Sequence, residues 1–337
     1  SMSGNRTVDV TITGGAGSVL QVGNTGTNTA NVIVAHNPDD PYGVTLTGNL
    51  DMSGLTTFIA NLNAFDLGNG HRQANGTITL ATNNTIDANS MTIGRATGNN
   101  SGTSRLILGQ TNALTVDSVI VGGDKSTAQL AFNTTGTLDL GTAAHRADLF
   151  IGYQTVGTSG GANGTVDLSA GTFNAFIDEL TLARKVSGAT GTTSGTLTLG
   201  TANNVNVNSI SMAQRNGTGT ANATITINGG TMTITGAVTD GGGTSTLNLH
   251  GGSMSVGAGL HVDNLTIGDG SLTASLDLNG GTASEAGNLN VRSDSATPNT
   301  IAIAGGHTLT INGPVTIGNL STDGATTHAV VTGDGTL

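Results

Sequence analysis

The stretch Ile78–Arg95 reads ITLATNNTIDANSMTIGR, and the same frame returns without a gap as Leu106–Gly123 (LILGQTNALTVDSVIVGG) and Leu197–Gln214 (LTLGTANNVNVNSISMAQ). Each copy holds a short apolar–polar–apolar strand, a turn with Asn, a second short strand, an Asn/Asp-Ser corner, and a third strand ending in Gly or Ala. Looser copies, Leu130–Tyr153, Val166–Arg184, Leu247–Asp269 and Ile301–Asn319, keep the first strand and the closing LTIG-like strand. Ile225–Asp240 and Leu276–Ser293 are shorter versions. A repeat of roughly 25–30 residues is the signature of a solenoid, in which each unit buries its apolar face only against its neighbours.

Within a strand the side chains alternate, so Leu197 and Leu199 point inward and Thr198 outward. The expectation is an all-β, single-stranded parallel β-helix (β-solenoid) of about ten to twelve rungs. At a strand spacing of about 4.8 Å this makes a rod on the order of 50–60 Å long. Asn and Gly at the corners supply left-handed backbone conformations. The corner residues Asn89, Asp117, Asp178, Asn208 and Asp263 form a candidate ladder, each bonding the backbone of its own turn. A β-sandwich array is the rival architecture, but it needs two-residue Asn-Gly hairpins more often than they occur here.

Composition points the same way. The chain has 337 residues with 54 Gly, 9% charged and 2% aromatic residues, and neither Trp nor Cys. So few large side chains fill a wide globular core poorly and a narrow stacked one well. Leu, Ile and Val are spread evenly, which separates the chain from a disordered Gly/Ser/Thr linker. Helix formers are scarce: Lys and Arg total 10, and Glu occurs only at Glu179 and Glu285. Net charge is −11, which argues against nucleic acid as a partner. No stretch approaches a transmembrane helix. Ser1-Met2 reads as a cloning remnant, residues 3–75 as irregular N-terminal rungs with a turn at Pro38-Asp39-Asp40-Pro41, and residues 76–337 as regular rungs continuous with them in one domain. No signal peptide is seen, so any targeting segment is expected to have been removed, and the chain is expected to be a piece of a longer repeat protein.

The repeated LxLGxxNxLxVxSIxIG pattern, with Gly/Thr/Asn-rich turns and no cysteine, resembles the passenger regions of bacterial autotransporters and related filamentous adhesins. The resemblance covers Thr77 to about Val331 and is weaker before Gly70. It implies a right-handed β-helix displayed outside a Gram-negative cell, hence an extracellular or cell-surface location. Several polysaccharide lyases share that fold, so the resemblance leaves open whether the chain does chemistry.

The few basic residues supply the candidate site. Arg95, Lys125, Arg184, Lys185 and Arg215 all fall at or just beyond the end of the third strand. In the repeat alignment Arg95, Gly123, Tyr153, Arg184 and Gln214 form a line, with Lys125, Lys185 and Arg215 in the adjoining turn. A basic strip with one aromatic on an acidic protein suits an acidic polysaccharide or a host or cell-surface glycan. The loops Gln154–Gly164, Val186–Gly195 and Asn216–Asn222 would wall the groove. The bland alternative is that these are solvated turn residues. The expected function is therefore an extracellular structural or adhesive segment with an anionic polysaccharide as candidate ligand. The alternative is a lyase using Tyr153, Arg184 and Lys185 for β-elimination, with Arg215 as a clamp. Few aromatics for sugar stacking and no acidic Ca²⁺ cluster weigh against the lyase.

Other chemistries have less support. Asp178-Glu179 are adjacent and face apart if extended, which is poor for a hydrolase pair. His36, His71, His145, His250, His261, His307 and His328 have no metal-ligand spacing. No cofactor is implied. Gly157-Thr158-Ser159-Gly160-Gly161 matches a nucleophile elbow by composition only, and Gly241-Gly242-Gly243 lacks the Lys-Ser/Thr of a phosphate loop. Ice binding needs regular Thr ladders. The outward column aligned as Thr79, Ile107, Ala131, Asp167, Thr198, Thr226, Asn248, Asp277 is mixed, and Thr enrichment is explained by β propensity.

Overall fold

A computed structural model describes residues 5–37, 44–71, 73–98, 102–157, 159–293, 297–318 and 329–333. The Pro38–Pro41 turn and Ser1-Met2 lie outside them. The described chain is all-β with no helix, and its parallel strands stack into a β-solenoid of about ten turns. A sheet of 13 strands and a sheet of 15 strands run the length of the rod. The first sheet takes a strand from each turn, from Arg6–Thr13 through Ala74–Thr79 and Thr193–Leu199 to Thr308–Ile311, with Val315–Ile317 also pairing Ala283–Ser293 at its end. The second sheet holds both remaining sides, because strands such as Thr57–Gly70, Asn83–Ala96 and Thr111–Asp124 continue around a corner.

Alternation within each strand puts one apolar residue per position into a continuous internal column. In the first sheet this column runs Val10, Leu50, Ile78, Leu106, Leu130, Val166, Leu197, Ile225, Leu247, Leu265, Leu289, Val315, each in register with the next. From Ile78 to Leu289 none is more than 5% exposed, whereas Val10 and Val315 at its ends are 46% and 53% exposed. Each buried side chain of this kind contributes about 1.5–3 kcal/mol, so a narrow core stabilises the rod one rung at a time.

The three corners solve different problems. At the first, between the sheets, Asn84, Asn112 and Asn203 turn inward. Asn84 donates to the Ala81 carbonyl and to Asn112 Oδ1, at 2.8 and 2.9 Å. Asn112 donates to the carbonyls of Gly109 and Thr137, both at 3.0 Å. Asn203 does the same for Gly200 and Gly229, and its oxygen accepts from the Phe173 amide. These bonds satisfy turn carbonyls that the ladder leaves over. All three residues occupy the Asn turn of the repeated frame.

The second corner corrects an expectation. Asn89, Asp117, Asp178 and Asn208 do sit at the bend, but they bond neighbouring side chains rather than their own turns. Asn89 donates to Asn63, Asn208 donates to Asp178, and Asp117 pairs with His145 at 2.7 Å. Asp263 is not at this corner at all. It lies in His261–Gly270 and accepts from the Ser245 amide at 2.8 Å.

The third corner needs a left-handed residue after the last inward side chain. Gly68, Gly94, Gly122 and Gly152 occupy it with φ of 62–73°, followed by Ala183 and Ala213 at 57° and 51°. Turn length varies widely, most of all beyond this corner: 36 residues separate Leu130 from Val166, some of them in the loop 141–146 at the second corner, and only 18 separate Leu247 from Leu265. The short turns shift the phase of the repeat. The third strand shrinks to Val238–Asp240, Leu260 pairs directly with Val238, and the chain passes at once into the first sheet. Leu265 and Leu289, expected in closing strands, therefore lie in the first sheet, and Leu276, expected in a first strand, lies in the second.

A Cβ at Gly152 would lie 2.0 Å from the Ser194 carbonyl oxygen, on a left-handed backbone. Gly152→Ala is expected to lower stability by roughly 2–4 kcal/mol, combining backbone strain with overpacking. Urea unfolding of the two proteins checks this.

Candidate functional site

The end of the third strand brings the basic residues together much as the alignment places them. Asn69, Arg95, Gly123, Tyr153 and Arg184 are successive register partners, and Gln214 follows one rung on, its carbonyl accepting from the Lys185 amide at 2.7 Å. One residue further along, Ala96 pairs with Asp124 and Lys185 pairs with Arg215.

The electrostatics differ from an open basic strip. Arg95 Nε donates to Asp124 Oδ2 at 2.8 Å, and Arg95 Nη2 donates to Thr155 Oγ1 at 3.1 Å. The Asp124 side chain is fully buried and also accepts from the Thr155 and Val156 amides, at 2.7 and 3.1 Å. Arg95 and Asp124 thus anchor the loop from the next rung. Lys125 is only 6% exposed, its stem packed where a side chain on Gly160 would stand. Lys185 is fully buried and its Nζ donates to the Gly191 carbonyl of its own loop. Burial draws the Lys185 amine below its ordinary pKa of 10.5. Lys125 and Lys185, expected as ligand-binding residues of the adjoining turn, are thus part of the loop interior.

Neighbouring loops stack as the strands do. Gln154 is fully buried, donating to the Gly160 carbonyl at 3.0 Å and accepting from Thr193 Oγ1 at 3.2 Å. The Asn216 amide reaches the Lys185 carbonyl, and Thr220 Oγ1 reaches Thr192 Oγ1 at 2.9 Å. Gly219 leaves the space that the Lys185 ammonium fills. The loops expected to wall a groove instead close on one another.

Tyr153, Arg184 and Arg215 remain nearer the surface. The Arg184 guanidinium lies 4.8 Å from the centre of the Tyr153 ring and donates to its hydroxyl. The Phe150 ring centre is 4.3 Å from that of Tyr153, with the planes tilted by 32°. Tyr153 and Arg184 are half-buried, as is Gln214, and Arg215 is exposed. Of the proposed lyase residues, Tyr153 and Arg184 are in contact and Lys185 is turned inward.

A concavity elsewhere on the rod was not anticipated. Where the third strand shortens, the wall drops away and leaves a cleft of about 420 Å³ lined by Thr239, Asp240, His261, Val262, Asp263, Glu285, Gly287 and Asn312. Glu285 accepts from Asn312 and lies 3.8 Å from His261 Nδ1. Burial is the main cause of a raised Asp240 pKa, opposed by the Gly242 amide and reinforced by the Asp263 carboxylate. The cleft joins residues from turns of unequal length, so no constant spacing in the sequence marks it. Among the described residues, no group of three or more His, Asp or Glu is placed to hold a metal ion.

The fold and this corner together define a parallel β-solenoid with a stack of interlocked loops along one edge. Comparison with family models, curated proteins and solved structures gives no match to the chain.

Two outcomes follow from these contacts. Asp124→Ala leaves Arg95 and two loop amides without their acceptor, and is expected to cost roughly 2–4 kcal/mol against about 1–2 for Arg95→Ala. A double-mutant cycle by urea unfolding checks whether the pair is coupled. Asp240 binds its proton more tightly folded than unfolded, so stability falls as pH rises through the window from 3.8 to the raised value. Asp240→Asn is expected to stabilise the chain at neutral pH and to have no effect below 3.8, measured as the urea midpoint against pH.

Proposed function

We propose that this chain is a rigid shaft segment of a protein displayed outside the cell, of the autotransporter or filamentous-adhesin style that its repeats resemble. The observation that carries the reading is the unbroken apolar column from Val10 to Val315, which makes each rung the support of the next. A parallel ladder of this length resists bending, because deflection must open backbone hydrogen bonds and separate packed Leu, Ile and Val side chains together. The absence of cysteine is compatible with such a shaft, since stacking stabilises it without disulfides.

Use of the basic residues inside the fold also favours a scaffold. Arg95 is engaged by Asp124, Lys185 by a loop carbonyl, and Lys125 is covered. The guanidinium groups left for an acidic glycan are those of Arg184 and Arg215.

The test is affinity electrophoresis through gels containing acidic or neutral polysaccharides, with Arg184→Ala/Arg215→Ala as the comparison. A shaft is expected to migrate alike in every gel, and the double variant to behave like the parent. Retardation by an anionic glycan that the variant loses would replace the shaft reading with an adhesive one. Unsaturated sugar products would replace both with the lyase.

A further inference from the structure

The outward face of the first sheet changes character along the rod. Its lower rungs are mixed, with Arg105 beside Ile107 and Thr165 beside Asp167. From Thr196 onward the two outward positions of each strand form two ladders in register. One runs Thr196, Thr224, Thr246, Asn264, Asn288, and the other Thr198, Thr226, Asn248, Thr266, Asn290. The aligned column that placed Asp277 here is corrected by this register, since Asp277 lies in the second sheet opposite Ser255. What remains is ten positions filled by six Thr and four Asn, with no charge, on a protein of net charge −11.

Three properties of this array point to one occupant. Its geometry is regular: rungs repeat at about 4.8 Å, and the two ladders stand roughly 6.6 Å apart along each strand. No register shift falls within the array; the one irregularity in the strand pairs that carry it, between Ile267 and Gly270, lies beyond Thr266 and Asn290. Its side chains are held in place by one another, Asn248 donating to Thr226 Oγ1 at 3.3 Å and Asn288 to Asn264 Oδ1 at 2.9 Å. Its chemistry is neutral, hydroxyl- and amide-bearing, with threonine methyls between the polar groups and every position half-buried or exposed. Without charge it offers nothing to a polyanion or a cation, and without an aromatic ring it offers no platform for a sugar. A rigid array of this kind instead holds its first layer of water in rows, and the solid built from such neutral, hydrogen-bonded rows is ice.

We infer that the Thr196–Asn290 face of the first sheet binds ice. Ordered water carried on the ladders merges with the growing crystal surface, and the contact gains strength from the number of rungs in register. The shaft and this face are separate properties of the rod, so either can fail without the other.

The experiment is ice-affinity partitioning of the full chain on a slowly growing ice surface, with inhibition of ice recrystallisation as the second readout. The parent is expected to be enriched in the ice and to keep crystals small. Thr226→Lys, at the centre of the array, is expected to lose both effects. Thr115→Lys, at an equally half-buried outward position of the second sheet, is expected to keep them. Thermal unfolding of each variant establishes that the fold is retained. Exclusion of the parent from the ice overturns the inference, and so does a Thr226→Lys variant that partitions like the parent. Retention on a neutral polysaccharide or self-association through this face, without ice enrichment, assigns the array to that other occupant and equally overturns it.

Discussion

In a parallel solenoid every residue lies directly over its counterpart one turn away, at about the 4.8 Å spacing of hydrogen-bonded strands. A residue is therefore selected against the two that sandwich it as much as against its own sequence neighbours. Leu, Ile and Val stack on one another freely, which is why the internal columns are monotonous. Amides also stack, because each carries both donor and acceptor, and Asn84 over Asn112 is the result. Like charges stack poorly, and at the third corner Lys185, which does pair with Arg215, has its ammonium turned into its own loop. Arg95 and Arg184 share a column but are kept apart by Gly123 and Tyr153.

That constraint explains what could be read from the residues. The period-two alternation in ITL, LIL and LTL and the gapless frame gave the parallel stack, because stacking forces equal positions to carry equal chemistry. The line Arg95, Gly123, Tyr153, Arg184 followed from the same alignment. The use of those residues did not follow. Lys185 reads as a ligand-facing residue of the strip until the carbonyl of Gly191 and the gap at Gly219 are placed around it. Asp124 gives no sign in the sequence that it receives a guanidinium and two amides from separate rungs. Such contacts cross between turns of unequal length, and spacing along the chain carries no record of them.

The failures past Val238 have a related cause. LTIG at Leu265–Gly268 looks like a closing strand because its local pattern matches one. Its place is set instead by the vanishing of the loop before it, which lets Leu260 take the third position and Leu265 the first. Pattern identifies a strand as inward–outward alternation, but the sheet it joins depends on how much chain was spent at the corner. The 420 Å³ cleft arises at this change of phase, where residues from four rungs converge.

The range of turn lengths, from 36 residues down to 18, bears on how such a chain diversifies. The first two corners hold inward amides and bending strands in most rungs, although the 36-residue turn also spends residues there, its second strand ending at Leu140 and its third beginning at Ala147. The third accepts a long excursion, a short one or almost none while the ladder above and below is undisturbed. Differences in chain length are thus largest at one edge of the rod and smaller, though not absent, at the other two. A lineage can redraw that edge, adding loops in one rung and erasing them in the next, while inheriting the shaft unchanged.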